Sequence, residues 1–512
     1  MSEKPTSRRT FLKVGAGIAG LAAIGAAGYY YYMTQAPPPP PTPTETTTAT
    51  TAATTTATSI VPPTSMEYLS KFPHWEYYYS AEPHPTLRYL GGAWMMYPEV
   101  QEFWEKVHKQ PVEASYLDLF VMAQRIVATE GYGWDVAGTA RFPPIKKAGV
   151  LRPTPVDKLP AWNESKIVDM FIHPEKYLRP AQVPRFNYNL WYSEEDYTTH
   201  KNLSIVSNNW NYDSVTYLPE KLPFEEQGGE KTSFSYSELW NKEWKGRAMM
   251  QDEALTVFSE SANELDATGQ IKVSGATTSL TRDEVDTVYN FLLPIIKSGQ
   301  VRTFWFKYGD AVNLLSTREI WIGSTWQPIC LDTRRAGTPA YYTRLVNGPF
   351  FWFNGDIISP RTEMLDDVYK FINFRIDTWW TAFITRNGYG TMTSNYDEVR
   401  DYMGAEFFNW VNNGARTYLP TDRAIKELVF PERPELWNLP ERLLNALFLP
   451  DKYFPPGEKP REGSPDPRGN LRDLGSIADK QKITRYFISP DLPDDLDYYT
   501  EKYTDLKAQI PG

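Results

Sequence analysis

The chain has 512 residues, 23% of them charged, a net charge of −10 and one cysteine, Cys330. The acid excess speaks against nucleic acid and against an anionic membrane surface as partners, and a single cysteine cannot close an intramolecular disulfide. The histidines (His74, His84, His108, His173, His200) show no H-x-x-x-H spacing and no C-x-x-C occurs, so neither a metal nor another cofactor is expected.

The first elements are not part of a folded body. Ser7-Arg8-Arg9-Thr10-Phe11-Leu12-Lys13, followed by an apolar Gly/Ala-rich run from Val14 to Gly28, resembles a twin-arginine export signal. The run passes into Tyr29-Tyr30-Tyr31-Tyr32-Met33, and Val14 to Met33 is twenty residues, the length of one bilayer-spanning helix. Tyrosine suits the membrane–water interface. No A-x-A cleavage pattern and no lipid-attachment cysteine follow, so residues 1–33 are expected to stay as a membrane anchor. Residues 34–65 carry the stiff run Pro37 to Pro41 and a Thr/Ala stretch to Ser59. Such chain cannot bury enough apolar surface to offset its ordering entropy, and it reads as a stalk.

About 450 residues remain, too many for one simple core, and two lobes are expected. Leu87 to Leu90 reads as a strand ending in Gly91-Gly92. Pro98 to Gln110 reads as a helix, with Val100, Phe103, Trp104 and Val107 on one face. A strand over 112–116, a helix over 117–129, a strand over 134–137 and a short helix from Pro144 follow. This alternation implies a parallel α/β sheet, in which ligands sit beyond the carboxyl ends of the strands. The corresponding loops begin at Gly91, Leu117 and Gly138.

A Pro-, Asn- and Trp-rich break covers 151–197, and strand-like chain resumes over 203–208. Arg247 to Gln251 reads as a strand, with a helix from Asp252 to Leu265. Thr281 and Glu284 form a capping box for a helix carrying Val285, Val288, Phe291, Leu292 and Ile295. Strands over 319–323 and 350–358 precede one helix from Leu365 to Phe383. The chain from 397 to 490 is rich in Pro and charge and reads as wrapping the surface. It could equally hold a partner.

Several pieces now fall into order: Gly91-Gly92-Ala93-Trp94, Trp134-Asp135-Val136, Lys147-Ala148-Gly149-Val150-Leu151, Ser237-Glu238-Leu239-Trp240 and Lys245-Gly246-Arg247. The longest series runs from Glu319-Ile320-Trp321-Ile322-Gly323 through Arg335-Ala336-Gly337-Thr338-Pro339 and Phe350-Phe351-Trp352-Phe353-Asn354 to Gly388-Tyr389-Gly390. Collinear over roughly 87–396, they resemble the polyamine-type solute-binding proteins of ABC importers, the spermidine/putrescine-binding class. Leu496 to Lys507 resembles the Tyr-rich terminal helix of that family. The resemblance implies a type II periplasmic binding fold, two α/β lobes joined by crossing strands. The first lobe would take residues 66–205 (its core from about 86) with a return over 350–395, and the second would take 206–349. Residues 396–512 would form a C-terminal extension.

The same resemblance implies a function: capture of a small polar or cationic organic solute between the lobes, closure, and delivery to a membrane permease with a cytoplasmic ATPase. The chain would be a monomer and not an enzyme. Trp94 and Tyr97 match the family's aromatic pair in the first loop, Trp326 and Trp352 two further cleft tryptophans, and Glu253 an acid at a strand-to-helix turn. Rings over an ammonium contribute about 0.5–2 kcal/mol each. Thr139 and Arg141 fall in the loop after the third strand. Thr256 and Asn354 stand where polyamine binders have acids, and Arg141 where the position is usually uncharged. One carboxylate and one guanidinium suit a monocation, a zwitterion or a small polar organic better than spermidine. Two other readings compete. An exported glycoside hydrolase needs two cleft acids about 5–9.5 Å apart, and a surface scaffold needs no working pocket.

Overall fold

The computed structural model describes residues 73–511 apart from 118, 140, 142, 223–233, 395–396, 456–458, 467–468, 474 and 490–491. The export signal, anchor and stalk expected over 1–65 lie outside the described residues. Among the described residues no helix is long and apolar enough to cross a membrane.

The first strand–helix alternation forms as expected: β1 (Leu87–Gly91), α1 (Pro98–His108), β2 (Val112–Tyr116), α2 (Leu119–Ala128) and β3 (Val136–Thr139). Proline starts α1, and its 3.6-residue stripe Val100, Phe103, Trp104 and Val107 is buried. Each such side chain contributes about 1.5–3 kcal/mol by leaving water, which is why an isolated eleven-residue helix holds here. β1 pairs in parallel with both β2 and β3.

A second alternation follows: β4 (Val206–Tyr217), β5 (Ala248–Gln251), α3 (Ala254–Ala267), α4 (Arg282–Lys297), β6 (Val301–Trp305), α5 (Tyr308–Ser316), β7 (Ile322–Thr325) and α6 (Gln327–Arg335). The capping box of Thr281 and Glu284 is present at α4. β5 pairs in parallel with β6 and β7. The strand expected over 319–323 sits later, because Arg318 turns at positive φ and the chain is extended only from Ile322.

Two long strands join the halves. β4 has twelve residues, all buried, and β8 (Phe350–Ile358) has nine, all buried. β8 runs antiparallel to β3 through Gly355–Ile358 and to β4 through residues 350–356, while β4 goes on to pair with β7. The order along the ten-stranded sheet is β2-β1-β3-β8-β4-β7-β5-β6. Two parallel α/β halves bridged by a pair of antiparallel crossing strands is the type II periplasmic binding arrangement. At the crossing, a Cβ on Gly355 would lie 2.3 Å from the Val206 carbonyl oxygen, so only glycine fits there.

The helix expected from Leu365 to Phe383 is two helices, α7 (Leu365–Phe374) and α8 (Thr378–Arg386). The periodicity runs through the break, but Asp377 stops it by accepting a 2.7 Å bond from the Thr378 N–H as the cap of α8.

The chain beyond 397 does not only wrap the surface. It builds two apolar clusters, one around Phe407, Trp410 and Phe454 and one around Ile425, Leu444 and Leu447. Asp473 meets Arg334 at 2.9 Å with both side chains buried. Lys480 donates to Asn211 Oδ1 on β4 at 3.2 Å, and burial pushes its ammonium down to about 8. β9 (Tyr486–Ser489) adds in parallel to β8, and α9 (Leu496–Lys507) packs on α3 and α4. Composition concealed this, because the buried residues are scattered among Pro and charge.

Candidate functional site

The carboxyl ends of β1 and β3 in one half face those of β5 and β7 in the other. Trp94 follows β1 and Trp326 caps α6 after β7; their ring centroids are 6.0 Å apart, and Trp305 packs edge-on against Trp326 at 5.1 Å. Arg141 follows β3, and Glu253 caps α3 after β5. The guanidinium of Arg141 donates to Glu253 Oε1, an ion pair between the two halves. Thr256 Oγ1 donates to Glu253 Oε2 at 2.6 Å, and the Arg141 N–H donates to Thr139 Oγ1 at 3.0 Å. Thr139, Arg141, Glu253 and Thr256 therefore form one connected group, and the two tryptophans form a second.

The crossing strands make a floor. Trp352 on β8 donates from Nε1 to Asp213 Oδ1 on β4 at 2.7 Å, and its ring meets Tyr389 edge-on at 5.8 Å. Burial pushes the Asp213 carboxyl up to about 8; the Trp352 N–H works against that, the Glu253 charge adds to it and Arg141 opposes it. Asp213 is thus electrostatically coupled to the Arg141–Glu253 pair. Glu260, further along α3, accepts from Ser324 Oγ at 2.6 Å, and burial, with Asp213 beside it, raises its carboxyl well above the usual range.

Tyr97 and Asn354 stand apart. Tyr97 caps α1, and its ring packs on Phe383 at 5.2 Å and Trp380 at 6.3 Å, a position in the wall of one half. Burial holds its phenol above the usual range. Asn354 is buried two residues along β8 from Trp352, on the same strand face, opposite Asn209.

The resemblance did not point to Asp213, a buried acid of the floor that the Glu253 charge influences. Its signal lay in Asn208-Asn209-Trp210-Asn211-Tyr212-Asp213-Ser214, a polar run on a strand that is wholly buried. Buried polar groups need partners, and here the Trp352 N–H serves Asp213 while Asn211 donates to Gln327 and to the Gly388 carbonyl.

No family model matches the chain. Over 144 residues it is 26% identical to the spermidine/putrescine-binding periplasmic protein of Escherichia coli, which covers 28% of this chain and 38% of that protein. The corresponding protein of Salmonella typhimurium matches to the same extent. The chain thus spans well under half the length of the curated relatives it matches. Among solved structures, a putative spermidine/putrescine ABC transporter from Listeria monocytogenes aligns with a TM-score of 0.47 at 14% identity, over 82% of this chain and 98% of that one. The Tp0655 (TpPotD) lipoprotein of Treponema pallidum aligns with a TM-score of 0.49 at 11% identity, over 83% and 99%.

Proposed function

We propose that this chain is the extracytoplasmic solute-binding receptor of an ABC importer, taking a small polar or cationic organic solute between its two halves. The observation that carries the reading is the Arg141–Glu253 pair. It spans the ends of β3 and β5, where open α/β sheets hold ligands, and breaks only if the halves part. The sequence match to periplasmic polyamine-binding proteins supports the same reading.

The charges narrow the solute. Burial raises the Asp213 carboxyl to about 8 and the Glu260 carboxyl well above the usual range, so both favour the neutral form, and Glu253 is the acid that pairs with Arg141. A zwitterion can take both partners at once, its cationic group on Glu253 and its anionic group on Arg141, with Trp94 and Trp326 beside it. A second acid near Glu253 is what a glycoside hydrolase would also need. Asp213, though, is engaged by Trp352 on the buried floor, where a water to be activated has no access. The chain works as a binder, not an enzyme. It is a monomer that hands its solute to a permease with a cytoplasmic ATPase. The twin-arginine signal exports it, and residues 14–33 hold it to the membrane at the cell surface or in a periplasm-like space.

A thermal-shift screen of the purified chain against betaines, amino acids, diamines, polyamines and organic acids tests this. At a hundredfold excess over Kd, a ligand specific for the folded state stabilises it by about 2.7 kcal/mol. Zwitterions are expected to raise the Tm. A response to spermidine alone would overturn the charge argument, and silence throughout would favour a scaffold without a pocket.

A further inference from the structure

We propose that His84, His108 and Asp367 form a binding site for one divalent transition-metal ion, zinc by its ligand set, which clips the chain before β1 onto α1 and α7. The three come from separate elements. His84 lies three residues before β1, His108 ends α1, and Asp367 is in the first turn of α7. Their candidate ligand atoms all lie within 4.8 Å of one another. His84 Nδ1 is 3.0 Å and His108 Nε2 is 3.2 Å from the same oxygen, Asp367 Oδ1. Zinc bonds of about 2.0–2.2 Å place tetrahedral ligand atoms about 3.4 Å apart.

The hydrogen bonds behind the rings fix what faces inward. His108 Nδ1 is 2.7 Å from the Tyr78 carbonyl oxygen, which only accepts, so Nδ1 carries the proton and Nε2 presents a lone pair. Ser80 Oγ donates its one hydrogen to the Glu82 carbonyl at 2.9 Å. In that arrangement it accepts from His84 Nε2 at 2.9 Å, which leaves a lone pair on His84 Nδ1. Two imidazole lone pairs and a carboxylate oxygen converge on one point. With those tautomers a hydrogen bond from either ring to Asp367 Oδ1 needs an added proton, and the rings stack at 4.3 Å. A metal ion relieves all three contacts together.

The surroundings match a metal site further. Each ring donates its outer N–H to an oxygen, which fixes the tautomer and raises ligand basicity. Asp367 Oδ2 accepts from Gln110 Nε2 at 3.3 Å, and that amide also donates to the Pro85 carbonyl at 2.9 Å. Two imidazoles and a carboxylate favour zinc over calcium or magnesium, which prefer all-oxygen ligands. The site is at the start of β1, whereas Trp94 lies beyond its end, so the metal would not touch solute. It would tie residues 80–84, which follow the short helix Trp75–Tyr78, to the first half.

The test uses full-length chain without a polyhistidine tag, stripped with chelator, loaded with zinc chloride and desalted. About one zinc per chain is expected, with less than about 0.2 in His84→Gln and in Asp367→Asn, and a Tm about 2–4 °C higher for loaded than for stripped wild type. Solute binding should be equal in both forms. A wild-type content below about 0.2, or equal content in wild type and both variants, overturns the site. If a variant loses its native circular dichroism, the cobalt-loaded wild type decides. Two hyperfine-shifted exchangeable N–H resonances, one per imidazole, are expected, and fewer than two would overturn it.

Discussion

Two arginine–carboxylate pairs in this molecule share a chemistry and differ in their setting. Arg375 and Asp356 meet at 2.7 Å with both side chains buried. Tyr89 bonds to each at 3.3 Å, and the Trp380 ring lies 4.3 Å from the guanidinium. Tyr89 on β1, Asp356 on β8, Arg375 at the end of α7 and Trp380 on α8 all belong to one half, so the pair never separates while that half is folded. Arg141 and Glu253 come from opposite halves, and the Glu253 side chain keeps 21% of its exposure. The first pair is a rivet and the second a latch. What separates them is not the ion pair but whether one folded unit owns both partners and seals them from water.

The largest effect tests the rivet. Asp356→Ala strands Arg375 as a buried charge, and losing one partner of such a pair costs about 3–5 kcal/mol. Urea denaturation should show a loss of that size, or no folded protein at all. A loss under about 1 kcal/mol would mean that water reaches Arg375.

A third carboxylate, Asp213, belongs to neither class, because it sits in the floor without a direct cation. Its folded pKa of about 8 lies above the ordinary 3.8, so the native state holds a proton that the unfolded chain releases. This contribution is complete below about pH 4 and is lost as pH rises to about 8. Asp213→Asn has no proton to lose, so its stability relative to wild type should improve from pH 5 to pH 8.5, by about 4 kcal/mol. Urea midpoints at the two pH values measure it, and a pH-independent difference would place Asp213 in contact with water.

The latch is probed by Glu253→Gln. Solute affinity, measured by calorimetry with a ligand from the screen, should fall about tenfold, or about 1.4 kcal/mol. The radius of gyration of the solute-free chain should rise in small-angle scattering as the halves part. Unchanged affinity and unchanged radius together would reduce the pair to a surface contact. The smallest effect is a control remote from both pairs: Thr281→Ala removes the α4 cap and should cost about 1 kcal/mol with solute affinity unchanged. A cost near zero would mean that Glu284 alone secures the turn.

Much of the latch could be read in the sequence. Trp94 follows a Gly-Gly strand end, and Glu253 sits at a strand-to-helix turn, so local pattern places both at the ligand-facing rim. Arg141 is different. Its loop was predictable but its partner was not, because Glu253 lies 112 residues away. Asp213 was missed for a related reason: the polar run around it is visible locally, but that its strand is buried depends on the distant crossing partner β8. The His84 and His108 pair shows the limit most clearly, since the third candidate ligand, Asp367, is 259 residues beyond His108, and no spacing motif spans such a gap.

By itself the sequence determined what depends on near neighbours: the parallel strand–helix order, the amphipathic stripe of α1, the cap of α4 and the all-buried strand Phe350–Ile358. Periodicity and capping act over a few residues, and those residues are adjacent in the chain. The tertiary structure alone decided the break at Asp377, the interior contacts of Asp473 and Lys480, and the meeting of Arg141 with Glu253. Each depends on the burial, charge or hydrogen bond that a distant segment supplies, and chain connectivity does not encode that distance.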